Sequence, residues 1–123
     1  MTKRIVSALG HPHVDVLVHP TGRLIGSREP YDVDLEAVFA AARAHGKAIE
    51  INSSPDRLDL SAGHARRAAE VGVPLAISTD THYLSELDHL ELGLGVARRA
   101  WLTRAQVLNA RPLADLLAWT DAR

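Results

Sequence analysis

The sequence predicts an α/β fold with about three to four parallel strands and covering helices. Two observations carry that reading. Short β-branched apolar runs alternate with segments of helical spacing about ten residues long, the pattern of βαβ units with right-handed crossovers. Each apolar run also stops at a stretch rich in Pro, Gly, Asn or Asp, which ends a strand and starts a loop.

Along the chain, MTKRIVSALG begins with basic residues, but its apolar stretch is too short for a secretion signal and offers no strand. The run Val14 to Val18 predicts a buried strand closed by His19-Pro20, and the Gly-, Arg- and Pro-rich TGRLIGSREPY predicts a loop. Asp34 is placed to cap a helix with Leu35, Val38, Phe39 and Ala42 on one face, ended by His45-Gly46. Ala48 to Ile51 predicts a second strand and NSSPDRLD a loop. Ser61 should cap a helix running to Gly72 with Ala65, Ala68 and Ala69 inward. Pro74 to Ile77 predicts a third strand and Leu92 to Val96 a fourth. Thr103 and Gln106 form a capping box, and Pro112 opens a helix with Leu113, Leu116, Leu117 and Trp119 that should pack over an edge or end of the sheet.

With 123 residues and 46 % hydrophobic but only 4 % aromatic, the chain fits one compact unit whose core is built from Leu, Val, Ile and Ala. Basic and acidic residues nearly cancel, 14 against 15, so any phosphate contact must be local and not a bulk attraction. The lack of cysteine excludes disulfides, thiolate zinc sites and Cys nucleophiles, and no apolar run approaches the roughly 18 residues of a membrane span. A cytoplasmic protein is expected.

Asp80 and His82 follow the third predicted strand, at the end where parallel sheets gather ligands, and His19 stands at the equivalent point of the first. Two residues apart, Asp80 and His82 would share a side of an extended backbone and offer oxygen and nitrogen to Zn²⁺ or Mn²⁺. Local capping is the competing reading. Glu50 and Asn52 form a second same-side pair, and a carboxylate inside an apolar strand requires a cation or hydrogen bonds. Arg23, Arg28 and Arg57 fall in loops on the same predicted rim and either hold a phosphate or lie solvated. His11-Pro12-His13 imitates a metal motif but precedes its strand, at the opposite end from His19. No P-loop and no nucleophile elbow is present. Trp101 and Trp119 are expected to be core or interface anchors.

The ordered stretches Val18-His-Pro-Thr-Gly-Arg23, Glu50-Ile-Asn-Ser-Ser-Pro-Asp-Arg-Leu-Asp59, Ser78-Thr-Asp-Thr-His82 and Gly95-Val-Ala-Arg-Arg-Ala-Trp-Leu-Thr103 resemble the C-terminal part of the PHP (polymerase and histidinol phosphatase) domain of bacterial family X DNA polymerases. The resemblance covers nearly the whole chain, so residues 1–123 are expected to be the C-terminal portion of such a domain, with no polymerase domain. It implies part of a distorted (β/α)₇ barrel holding up to three Mn²⁺ or Zn²⁺ ions, with His19, Asp80 and His82 as the matched ligands. Arg23 and Arg57 are candidates for substrate phosphate, and Glu50 and Asn52 for site support. The implied activity of a complete domain is metal-dependent phosphoester hydrolysis, including 3′–5′ removal of DNA nucleotides. The family's N-terminal HxH motif, its second histidine and its glutamate-containing motifs have no counterpart here, so the chain alone is expected to be inactive. A structural or DNA-binding remnant is the alternative. DNA as partner of the complete protein and self-association of a truncated barrel complete the expectations.

Overall fold

The computed structural model describes residues 1–122. Three parallel strands, β1 (Val16–Leu17), β2 (Ala48–Asn52) and β3 (Leu75–Ser78), form an unclosed sheet in the order β1-β2-β3. The helices are α1 (Thr2–Leu9), α2 (Leu35–Ala44), α3 (Ala62–Glu70), α4 (Leu90–Arg99) and α5 (Leu113–Asp121), with 3-10 turns at Leu84–His89, Arg104–Gln106 and Leu108–Ala110. This is the α/β arrangement that the alternating pattern predicts: a partial barrel-like sheet flanked by helices. Its register pairs Leu17 with Ile49 and Asn52 with Ser78, so all three strand C-termini lie along one rim.

The central strand AIEIN is buried at every position, so it is covered on both faces, as a parallel strand between helices must be. Ile49, Ile51, Leu60, Leu75, Val38 and Phe39 make the middle of the core. The anticipated caps form: the Asp34 carboxylate accepts from Ala37 N at 3.0 Å and the Ser61 hydroxyl from His64 N at 3.4 Å. Gly46 ends α2 in the left-handed region (φ 65), where a Cβ would clash with its own backbone.

The structure departs from the sequence reading at several points. The first strand spans only Val16 and Leu17, with the Asp15 carbonyl accepting from Ala48 N at 3.0 Å before it and Val18 half exposed after it. MTKRIVSALG is not a featureless lead-in: it folds as α1, burying Ile5 and Leu9 against α2. The predicted fourth strand is a helix. Leu90, Leu92 and Leu94 alternate like a strand, yet the buried residues of α4 are Gly93, Val96 and Ala97, at helical spacing. The outer edge of β3 is instead occupied by a parallel bridge from Leu75 to Val107 and by the Asn109 side chain. That amide donates to the Ile77 carbonyl (2.7 Å) and accepts from Ile77 N (3.0 Å), in the manner of a neighbouring strand. The last helix has no fully buried side chain, Leu116 and Trp119 being partly buried, and Trp101 is 72 % exposed, so a core role for Trp101 is not realised. Among the described residues no helix is long and apolar enough to cross a membrane.

Two glycines of α4 separate packing from propensity. A Cβ on Gly93 would fall 2.0 Å from Ser53 Oγ and 2.7 Å from Ile77 Cγ2, whereas one on Gly95 meets nothing within 4 Å. Gly93→Ala should therefore destabilise by about 1–3 kcal/mol, through overpacking between helix and sheet. Gly95→Ala should stabilise by roughly 0.5–1 kcal/mol, through helix propensity. Urea unfolding of the two variants reads the opposite signs directly.

Candidate functional site

The rim is built around Glu50. Strand β2 delivers this carboxylate into the interior, 4 % exposed, where leaving it uncompensated would cost several kcal/mol as a rough figure. Its compensation comes from hydrogen bonds. Oε2 accepts from the backbone N of His19 at 2.5 Å and from Asn52 Nδ2 at 3.2 Å, and Oε1 accepts from Ser78 Oγ. These donors come from the ends of β1, β2 and β3, so one buried anion ties the three strand ends together.

Asn52, fully buried, extends the network outward. Its Nδ2 also lies 3.3 Å from Asp80 Oδ2, while its Oδ1 accepts from Ser54 N at 3.0 Å. Asp80 in turn faces Arg57, with Nε 3.4 Å from Oδ2. The sequence thus placed His19, Glu50, Asn52, Arg57 and Asp80 on one rim, and the structure links them there, with His19 contributing its main-chain N–H.

The expectation that Asp80 and His82 point the same way from an extended chain is not met. Strand β3 ends at Ser78, and Asp80 has φ 56, so the backbone turns before His82. The His82 ring Nδ1 donates to the Asp80 main-chain oxygen at 2.6 Å, which leaves the Nε2 lone pair uncommitted in the neutral ring. His19 also sits at positive φ, 30. Left-handed backbone at non-glycine residues costs of order 1–3 kcal/mol each, and it recurs here at two of the three residues matched to family ligands.

The loops after β1 and β2 are fastened to each other. The buried Asp59 carboxylate accepts from Thr21 N (2.9 Å) and Gly22 N (3.1 Å), and Ile25 N donates to the Asp56 carbonyl at 2.7 Å. Arg23 donates through Nε to the Arg57 carbonyl at 2.7 Å and through Nη2 to that of Leu58, so its guanidinium is engaged with the neighbouring loop. Arg28 donates to the Gly22 carbonyl at 2.8 Å. Sequence reasoning did not single out Asp59 or Ser78. The same-side spacing that flagged Glu50 and Asn52 works along one strand and carries no signal for partners on another.

The donor set does not fit a complete metal centre. Both Glu50 oxygens are taken up by internal donors, and Asp80 is held between Asn52 and Arg57. Among the described residues no group of three or more His, Cys, Asp or Glu side chains comes together to hold an ion. His11 and His13 form a tilted ring pair with centroids 5.5 Å apart, before β1 and away from this rim.

No protein-family model matches the chain. It is 44 % identical over 117 residues to the DNA polymerase/3'-5' exonuclease PolX of Bacillus subtilis (strain 168), an overlap of 95 % of this chain and 20 % of that protein. It is 33 % identical over 114 residues to a probable phosphatase of Thermoanaerobacter sp. (strain X514), covering 88 % of this chain and 44 % of that one. A probable phosphatase of Shewanella sp. (strain ANA-3) is 28 % identical over 94 % of this chain and 46 % of its own length. The chain therefore spans between a fifth and just under half of these relatives.

The turn that carries His82 has its own anchor, Glu86, which accepts from His82 N at 2.7 Å and Tyr83 N at 3.1 Å. Those two bonds, the one from His82 foremost, hold the Glu86 carboxyl below its ordinary pKa. A lowered folded-state pKa means that the stabilisation is present above the unfolded value and is lost as pH falls through the folded one. The amide resonances of His82 and Tyr83 should therefore titrate together, with a midpoint below the usual glutamate range, and Glu86→Gln should abolish that titration.

Proposed function

Starting from the chain's homology to the PolX/PHP-domain family, we propose that it is a C-terminal PHP-type segment that serves as a structural rim and is catalytically inactive by itself. The observation that carries this reading is the state of the two rim carboxylates. Glu50 accepts from His19, Asn52 and Ser78, and Asp80 lies between Asn52 and Arg57, so both rim carboxylates already have internal partners, while Arg57 Nη1 and Asp59 Oδ1 are buried without one. In this reading His19, Asp80 and His82 are ligand positions that act only where further donors are supplied, with Glu50 and Asn52 as their support. Of the two phosphate candidates, Arg23 is committed to two carbonyls of the neighbouring loop, whereas Arg57 meets the rim beside Asp80.

A second reading has its own support in the 44 % identity to a protein whose name includes 3'-5' exonuclease. In it the same residues belong to a domain that hydrolyses phosphodiesters with Mn²⁺ or Zn²⁺, DNA is the polymer served, and the cytoplasm is the compartment.

An assay of the purified 123-residue chain separates the two. With Mn²⁺ or Zn²⁺ present, no nucleotide should be released from a DNA 3′ end, and no phosphate from a generic phosphomonoester, above the chelator control. Metal-dependent release that Asp80→Asn abolishes would establish the second reading in place of the first.

A further inference from the structure

We propose that the chain assembles head to tail with copies of itself, the acidic leucine stripe leading into α4 of one copy seating on the basic tryptophan groove at the end of α4 of the next.

The stripe is made by a change of helix type. Leu84, Leu87 and Leu90 are three apart through the 3-10 turn Leu84–His89, where side chains at that spacing eclipse, and Leu94 continues the line one α-helical turn on. The 3-10 turn buries no residue, and α4 gives Gly93, Val96 and Ala97 to the core instead. All four leucines are exposed, Leu84 most of all at 84 %. Glu86, Asp88 and Glu91 stand among them, and residues 80–91 contain no Lys or Arg.

The groove has the opposite character. Residues 98–111 contain four arginines and no acidic residue, in a chain whose charges otherwise nearly cancel. Trp101 stands among these arginines, exposed and at φ 57, with the Arg66 guanidinium 4.1 Å from its ring centroid. Beside the indole a depression of about 150 Å³, room for a side chain, is lined by Ala69, Leu102 and Gln106. A second continues from Ala69 and Gln106 to Val73, Pro74 and Arg111. Arg104 and Arg111 are each fastened to a backbone carbonyl, that of Ala110 at 3.0 Å and that of Ala105 at 3.2 Å. Among the described residues no carboxylate pairs with Arg98, Arg99, Arg104 or Arg111. Tryptophan and arginine around an apolar hollow are the residues that carry most of the binding energy where proteins meet.

Charge selects the pairing. Stripe on stripe would set carboxylates against carboxylates, and groove on groove would set arginines against arginines, so neither face supports a symmetric dimer. Stripe on groove sets Asp88 and Glu91 against arginines and leucine against indole. The two faces belong to opposite ends of one ten-residue helix, roughly 15 Å long. A contact between unlike faces leaves one of each free at the ends, so it propagates instead of stopping at two copies.

Sedimentation equilibrium of the 123-residue chain tests this. The weight-average mass should climb with concentration past that of a dimer, and added salt should lower it. Leu84→Ser with Leu87→Ser removes the stripe, and Trp101→Asn removes the groove while keeping a residue that tolerates the left-handed backbone. Each variant should associate at least tenfold more weakly than the parent, with unchanged far-ultraviolet circular dichroism. An equimolar mixture of the two should regain association and stop at a dimer, because each partner keeps one face. A parent that stays monomeric, variants that assemble like the parent, or a mixture that stays monomeric would overturn the proposal. So would a monomeric parent whose indole is shielded by added polyglutamate or single-stranded DNA, which would give the groove to a foreign partner. A further measurement needs no substitution: acrylamide quenching of the parent's tryptophan emission should fall as concentration rises, and constant quenching would overturn the seating of the stripe on Trp101 even if Trp101→Asn failed to fold.

Discussion

Burial of the Glu50 carboxylate is the constraint on which the rest of the rim depends. A charge in the middle strand of a fully covered sheet can persist only if donors converge on it, and here they arrive from the end of each strand. The main-chain N–H of His19 fixes where the chain leaves β1. Asn52 fixes the exit from β2, and Ser78 marks the end of β3. His19 turns its N–H inward to Glu50 and carries a positive φ of 30 at the same point. Uncompensated, the carboxylate would cost several kcal/mol as a rough figure, comparable with a substantial part of a small domain's net stability.

A second buried carboxylate does for the loops what Glu50 does for the strands. Asp59 collects two adjacent backbone amides of the HPTGR turn, and Arg23 returns from that turn to two carbonyls beside Asp59. The exchange is reciprocal: the β2 loop gives an anion to the β1 loop and receives a cation. Gly22 suits this crossing because its φ of 65 lies in the left-handed region that favours glycine. With both loops fastened, the main chain of Arg57 is fixed at the rim, and its side chain, 19 % exposed, reaches Asp80 with Nε 3.4 Å from Oδ2.

Much of the fold was legible because local rules sufficed. The caps at Asp34 and Ser61, the stop at Gly46 and the central strand all follow from short-range chemistry. Where the reading failed, a residue served a distant partner. Leu92 to Val96 mimics a strand because Gly93 stands between leucines; it is there so that α4 can approach Ser53 and Ile77, a requirement visible only across the fold. Helix α1 was passed over because two apolar residues, Ile5 and Leu9, are a faint signal until α2 is seen beside them. At the rim, Asp80 and His82 were rightly assigned to the strand end. Their relative orientation was not readable, since a positive φ at Asp80 leaves no trace in composition.

The exposed Trp101 gives the molecule an unusual optical character. Its indole lies under the Arg66 guanidinium at 4.1 Å from the ring centroid, joining the end of α4 to α3 on the outside, while the single phenylalanine, Phe39, is the aromatic ring buried in the middle of the core. Phenylalanine contributes almost nothing to emission when tryptophan is excited. Light absorbed by this chain near the tryptophan band is thus returned in part from a solvated ring, open to collisional quenchers and sensitive to the cation above it. The Trp101 share of the fluorescence will follow the α3–α4 surface more faithfully than the interior, and the interior is better watched through its backbone chirality.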